Sequence, residues 1–365
     1  MGDRALELHT LTEGGQATEE VAASVIDWIA QARRTLDLAL YDVRIPGALG
    51  DSVSGALHAA HRRGVQVRIA VHDPEARPPG HASPPPRTKP DILAATGAAI
   101  RRIDGNGDLM HHKFALRDDA ALWAGSTNWT LDSWSLQENV IVTARSPTLV
   151  RSYSRVFDEL WRRRRIEGSG EFDAPAVSVG GISVRPWFCP GRGRELAHRI
   201  ATRIDRARRR VRVASPVLTS APVLAALAEV LEERRIDATG VVDRTQIEQV
   251  LHQWRDNAQV RWKSPLLERV LDGLHFSGKP SHQWAPDTPH DFMHAKLTVI
   301  DDTVFVGSYN LSRSGEENAE NVLEIEDPAL AERMAAWIDE VRARFPPVGA
   351  TGHGGFGGHG QLAHR

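Results

Sequence analysis

With a single cysteine, Cys189, the chain can form no internal disulfide, which fits a reducing compartment. No run of about 18 apolar residues occurs, so no stretch reads as a membrane-spanning helix. The first residues, MGDRALELHTLTEGG, lack the basic start and apolar run of a secretory signal, and the expected location is cytoplasmic. Neither sign of charge is in excess: 45 Lys and Arg stand against 47 Asp and Glu. No global field therefore points to nucleic acid or an anionic membrane, and any anion site must be local. Lysine is scarce as well. Lys89, Lys113, Lys263, Lys279 and Lys296 are the only five among those 45 cations, so where any cation would serve this chain has arginine, and a lysine needs a reason.

What is present is a long internal repeat. MHHKFALRDDAALWAGSTNWT, followed by ENV, returns as MHAKLTVIDDTVFVGSYNLS, again followed by ENV. His111 and His294 are 183 residues apart; Gly125 and Gly307, and Glu138 and Glu320, are 182 apart. At 365 residues the chain has room for two units, each large enough to bury a core.

Hydrophobic periodicity predicts the same opening in each half. Helices are expected over Glu19 to Arg33 and Ser52 to Arg63, with strands over Leu36 to Val43 and Val65 to Val71. In the second half helices are expected over Glu195 to Arg209 and Ala221 to Arg234, with strands over Val211 to Val217 and Ala238 to Val242. Paired strands around Asp-Asp turns follow each motif, then closing helices near Pro147 to Arg162 and Pro328 to Phe345. The predicted class is α/β: two duplicated domains, each a mixed sheet flanked by helices, packed with pseudo-twofold symmetry. The expected division is a first domain over 1–165, a linker and first strand over 166–185, a second domain over 186–348, and a disordered Gly/His tail over 349–365. Pro-rich Asp73 to Pro90 reads as an extended surface loop.

Each half carries His-x-Lys, four residues, Asp, then Gly-Ser-x-Asn, then Glu twelve residues after the Ser. The first set is His111, Lys113, Asp118, Gly125, Ser126, Asn128 and Glu138; the second is His294, Lys296, Asp301, Gly307, Ser308, Asn310 and Glu320. On a strand, residues i and i+2 share a face, so His and Lys point together into one site while His112 or Ala295 turns away. Phosphodiester cleavage needs a nucleophile, a proton donor for the leaving oxygen, and donors to the non-bridging oxygens. Two such half-sites facing each other supply all three. The asparagines add amide donors, and Gly125 and Gly307 let the Ser126 and Ser308 turns approach a phosphate. Chance would give His-x-Lys-x4-Asp in roughly two chains per hundred, so two copies inside a longer matching repeat are no accident. Two of five lysines fall at matched positions, which suggests that a planar guanidinium does not serve there.

These segments resemble the phospholipase D superfamily, whose signature is the HKD motif followed by Gly-Ser-x-Asn. The resemblance spans roughly Leu36 to Val140 and Val211 to Glu326. It implies a bilobal fold, a covalent phosphohistidine intermediate and no metal or other cofactor. It also implies His111 as nucleophile, His294 as general acid, and Lys113, Lys296, Asn128 and Asn310 as phosphate ligands. Glu138 and Glu320 would then orient the histidines. Asp118 and Asp301 are expected as turn formers bonding local backbone.

Other residues have bland readings. His112 is expected in core or surface, and Trp129 and Tyr309 either line the mouth or pack. The basic runs Trp161 to Arg165 and Arg206 to Arg210 are solvated helix ends. His111-His112 lacks partners for a zinc shell. Three functions remain, in order of preference: a nuclease, a phospholipase D or phosphatidyltransferase, and a non-catalytic nucleic-acid-binding module. The substrate is thus nucleic acid or phospholipid, no obligate protein partner is inferred, and the double motif permits an active site within a monomer.

Overall fold

The structure is a computed structural model, and it describes residues 4–73, 90–283, 285 and 288–348. The Gly/His tail and nearly all of the Pro-rich segment lie outside the described residues.

In the first half the chain forms β1 (Leu6–Leu11), α1 (Thr18–Ala30), β2 (Thr35–Leu40), β3 (Val43–Arg44), α2 (Gly47–Arg62), β4 (Gln66–His72), α3 (Pro90–Ala94), β5 (Ala99–Ile103), β6 (Lys113–Arg117), β7 (Ala121–Gly125), β8 (Trp129–Thr130), α4 (Leu131–Ser135), β9 (Asn139–Arg145) and α5 (Pro147–Arg163). The second half forms β10 (Val177–Val179), β11 (Ile182–Cys189), α6 (Gly193–Asp205), β12 (Arg210–Ser215), α7 (Ala221–Glu233), β13 (Asp237–Asp243), α8 (Arg244–Arg255), α9 (Ser264–Gly273), β14 (Ser277–Lys279), β15 (Leu297–Ile300), β16 (Thr303–Gly307), α10 (Arg313–Glu317), β17 (Glu320–Glu326) and α11 (Pro328–Ala343).

Strand order is β1-β9-β7-β6-β2-β4-β5 in one sheet and β10-β11-β17-β16-β15-β12-β13-β14 in the other. Apart from the extra edge strand β10 the two orders superpose. Each sheet is mixed: β2, β4 and β5 run parallel, as do β12, β13 and β14, and the motif strands pair antiparallel.

Side-chain alternation explains the layers. In β6 and β7, Phe114, Leu116, Leu122 and Ala124 face a core shared with α5, α11 and the second sheet, whereas Ala115, Ala121 and Trp123 face α1 and α2. The second sheet packs its outer face on α6, α7 and α9. The order of layers is therefore helices, sheet, the central pair α5 and α11, sheet, helices. The helices start where the local chemistry satisfies their free N–H groups: Ser146 and Asp327 cap α5 and α11 through their side chains, each followed by proline. No described helix is long and apolar enough to cross a membrane.

Candidate active site

The two halves meet backbone to backbone at the motifs. Met110, fully buried, bridges Ala319, and the N–H of His111 donates to the Ala319 carbonyl at 3.0 Å. Reciprocally, Met293 bridges Glu138, whose carbonyl accepts from His294 N–H at 3.2 Å. Each motif histidine thus sits just before its strand, anchored to the other half, and only its lysine enters β6 or lies against β15. His112 turns away as expected. It is fully buried, stacks edge-on to Phe114 and meets Asn321 Nδ2 at 3.1 Å.

Lys113 and Lys296 are buried, and each ammonium donates to the carbonyl of its own motif histidine, at 2.7 and 2.5 Å. The carboxamide oxygens of Asn128 and Asn310 are buried without a partner among the described residues. The two ammonium groups and the two imidazoles lie close enough to act on one another. Desolvation is the largest influence on all four ionisable groups. It lowers His111 and His294 well below the ordinary histidine value, with the lysine charges adding to it, and brings Lys113 down to about 7. Lys296 falls well below its ordinary value for the same reason. A site that disfavours its own positive charges is one that a phosphodiester anion would relieve.

Several residues are placed otherwise than the sequence suggested. Ser126 and Ser308, expected at the phosphate, are fully buried and bonded elsewhere. Ser126 Oγ accepts from Val140 N–H and donates to Asn139 Oδ1 at 2.7 Å, while Ser308 Oγ accepts from Asn321 N–H and bonds Glu320. Both hydroxyls hold the residues that face the histidines. Gly125 and Gly307 are required by strand packing: a Cβ would lie about 2.1 Å from Val140 O and 2.0 Å from Asn321 O. Asp118 and Asp301 do form turns, with φ of 55° and 50°. Their carboxylates, however, bond distant backbone: Asp118 accepts from Arg33, Arg34 and Thr35 N–H, and Asp301 from Arg208, Arg209 and Arg210 N–H. They fasten the motif hairpin to the entry of β2 or β12.

The two glutamates also differ. Glu320 Oε1 lies 2.7 Å from His111 Nδ1, whereas Glu138 makes no bond to His294 among the described residues. Its Oε2 accepts from Lys279 Nζ at 2.8 Å, and Asn139 Oδ1 faces His294 Nδ1 at 3.0 Å. Burial pushes Glu320 up to about 8, opposed by the charge of Lys113.

Some site residues carry no signal in the repeat. Tyr41, at the end of β2, packs edge-on against His111 with centroids 4.6 Å apart and lies under the Lys113 ammonium. His72 Nδ1 and Asp243 Oδ2, at matching ends of β4 and β13, receive the N–H of Met110 and Met293. Trp129 and Tyr309 are core residues, each 2 % exposed. Among the described residues no group of three or more His, Cys, Asp or Glu is arranged to hold a metal ion.

The sequence model of the family described as "Cardiolipin synthase, PLD-like domain" matches twice, over residues 25–161 and 200–342. The chain belongs to this phospholipase D-like superfamily of phosphodiesterases, as a tandem of two such domains. It is 30 % identical over 136 residues to a mitochondrial cardiolipin hydrolase of Chlamydomonas reinhardtii, covering 37 % of this chain and 55 % of that protein. It is 30 % identical over 145 residues to the protein of the same description from Xenopus laevis, covering 40 % and 62 %. The chain thus spans little more than half the length of these curated relatives. In structure it resembles phosphatidylserine synthase of Haemophilus influenzae Rd KW20, with a TM-score of 0.64 at 12 % identity, over 93 % of this chain and 86 % of that one. At that identity the likeness is one of fold.

Proposed function

We propose that this protein cleaves the phosphodiester of a phospholipid through a covalent phosphohistidine, without a metal ion. The observation that carries the chemistry is the cross-half pair of His111 Nδ1 and Glu320 Oε1 at 2.7 Å, beside two buried lysines. A carboxylate at Nδ1 leaves the Nε2 lone pair facing the site and offsets the positive charge that the ring acquires on bonding phosphorus. In this reading His111 Nε2 attacks phosphorus while His294 gives its Nε2 proton to the leaving alkoxide. Lys113, Lys296, Asn128 and Asn310 donate to the non-bridging oxygens, whose charge grows in the transition state. Water then enters on the leaving-group side, gives its proton to His294 and breaks the P–N bond.

The choice of lipid over nucleic acid reverses the preference drawn from sequence. What supports it is the similarity to cardiolipin hydrolases, at 30 % identity over 136 and 145 residues. The formal charge of −2 supplies no basic footprint of the kind a nucleic-acid enzyme usually carries. The test is turnover of cardiolipin, phosphatidylcholine, single- and double-stranded DNA, and RNA by purified protein in excess EDTA. Release of a lipid headgroup or phosphatidate is expected. Cleavage of nucleic acid alone would overturn the substrate, and activity that vanishes with EDTA and returns with a divalent ion would overturn the mechanism.

A further inference from the structure

The glutamate that precedes Asn-Val recurs twelve residues after the motif serine in both halves, yet the structure does not treat the two copies as equivalent. Up to the short helices the halves match at an offset of 182: Thr130 caps α4 as Ser312 caps α10, and the last turns close at Leu136 and Asn318. Beyond the helices the offset is 181. Gly125 pairs with Ile141 and Gly307 with Val322, and Ser126 N–H reaches Val140 O as Ser308 N–H reaches Asn321 O. The first half has one extra residue between helix and strand. Asn139, the first residue of β9, therefore occupies the place of Glu320, the first residue of β17. Because successive residues of an extended chain alternate in direction, this slip also turns Glu138 away, toward the ammonium of Lys279.

We infer that Asn139 is the positioning residue of His294, a neutral amide in the place where His111 has a carboxylate, and that this difference makes His294 the proton donor and His111 the nucleophile. The inference rests on the two-histidine reading proposed above. The amide's orientation is fixed by its neighbours. Asn139 Nδ2 donates to the Ser133 carbonyl at 3.1 Å and to Gln137 Oε1 at 3.3 Å, so Oδ1 is the atom that faces His294, and it already accepts from Ser126 Oγ. An acceptor at Nδ1 requires His294 to donate there, leaving Nε2 toward the site, the same tautomer that a carboxylate would select. What the amide does not supply is negative charge. The charged groups that act on His294 are the Lys296 and Lys113 ammoniums and the neighbouring His111, and the Ser126 backbone adds only a hydrogen bond. His111 meets the same two lysines, His294 and His72, but has Glu320 as well. An imidazolium without a counter-charge gives up its proton readily, which suits a donor to a poor leaving group. An imidazole beside a carboxylate tolerates the cation formed when Nε2 bonds phosphorus, which suits the nucleophile.

Asn139→Asp should restore the missing charge while keeping an acceptor. The expected result is a rise of the His294 ring titration, followed by NMR without any substrate, by about one unit or more. In kcat on dihexanoylphosphatidylcholine, where bound phosphate keeps the lysines charged, the alkaline limb should move to higher pH by a similar amount. Asn139→Ala should lower kcat without raising either titration, as a loss of orientation alone would. If Asn139→Asp does not fold, Glu320→Asn is the reciprocal change and should lower the titration of His111. An unmoved ring titration in the folded variant, or in its reciprocal, overturns the inference. A ring that shifts while the acidic limb moves in place of the alkaline one keeps Asn139 as the partner of His294 but overturns the division of roles. A ring that shifts in a protein inert toward lipid supports the inference and overturns only the substrate.

Discussion

Lys279 and Glu138 meet across the interface of the two halves, Nζ to Oε2 at 2.8 Å, with both side chains out of water. The ammonium also donates to the Leu136 carbonyl at 2.7 Å and meets Glu13 Oε2 at 3.0 Å. A third scarce lysine thus has a reason, and it is cohesion of the halves. Without Lys279 the buried Glu138 is left with the Arg344 guanidinium at 3.8 Å, so Lys279→Met should cost up to about 3–5 kcal/mol in chemical denaturation. Glu138→Gln should lose stability as well, yet keep kcat per folded molecule within a few-fold, because its carboxylate faces Lys279 and not a histidine. A loss of two or more orders of magnitude in kcat for Glu138→Gln would show that Glu138 acts as Glu320 does.

The motif aspartates give a second expectation. Asp118 is held below the ordinary carboxylate range: partial burial opposes ionisation, but the N–H groups of Thr35, Arg34 and Arg33 outweigh it. Asp301 is held down in the same way by Arg208, Arg210 and Arg209. A depressed pKa contributes stability that is present above the unfolded value of about 3.9 and is lost as pH falls through the folded one. Asp118→Ala and Asp301→Ala should therefore lower stability by about 2 kcal/mol each at neutral pH, less at pH 3, and leave kcat nearly unchanged. A denaturation midpoint that does not move would dissolve the clamp.

For the motif lysines the direction is opposite. Lys113→Ala and Lys296→Ala should fold, since burial already disfavours their charge, and lose about a hundredfold to a thousandfold in kcat. Lys→Arg should rescue neither, because a planar fork cannot take the place of a compact ammonium that also reaches its own histidine carbonyl. Near-normal turnover in the arginine variants would mean that lysine scarcity carried no meaning here.

The legible parts of this molecule are those that repeat at low sequence separation. Alternation in β6 and β7, the closing helices and the His-x-Lys spacing are local, and the duplication displays them twice. Strand β1 is not marked by the sequence reading, and β11 only as a first strand within 166–185, because they pair with β9 and β17 far along the chain. Tyr41 was invisible because the matching place in the second half holds Pro216, so no repeat drew attention to it. The Glu138 error is the instructive one. Glu-Asn-Val recurs at the same distance from the serine, and only the pairing of β7 with β9 reveals that the extra residue falls between helix and strand.

The dependence of kcat/KM on pH draws these charges together, since it reports the free enzyme. With Glu320 pushed up to about 8, the Glu320–His111 pair takes on a second proton as pH falls through that region, and the lone pair of His111 Nε2 is no longer available. The rate should then drop about tenfold per pH unit on the acid side, well above where an isolated histidine would impose it. On the alkaline side His294, lowered well below the ordinary histidine value, loses the proton it must give, and Lys113, brought down to about 7, loses its charge and with it a donor to the phosphate. The two limbs overlap, each belonging to the coupled site and not to one residue. Glu320→Gln removes the raised carboxylate, and the acid limb should move to lower pH while the maximal rate falls. Lys113→Arg, slow as it is, should lose any alkaline limb that Lys113 causes. The measurement is kcat/KM on dihexanoylphosphatidylcholine from pH 5 to 10 for the three proteins, and a wild-type profile flat between pH 6 and 9 would rule out this arrangement of charges.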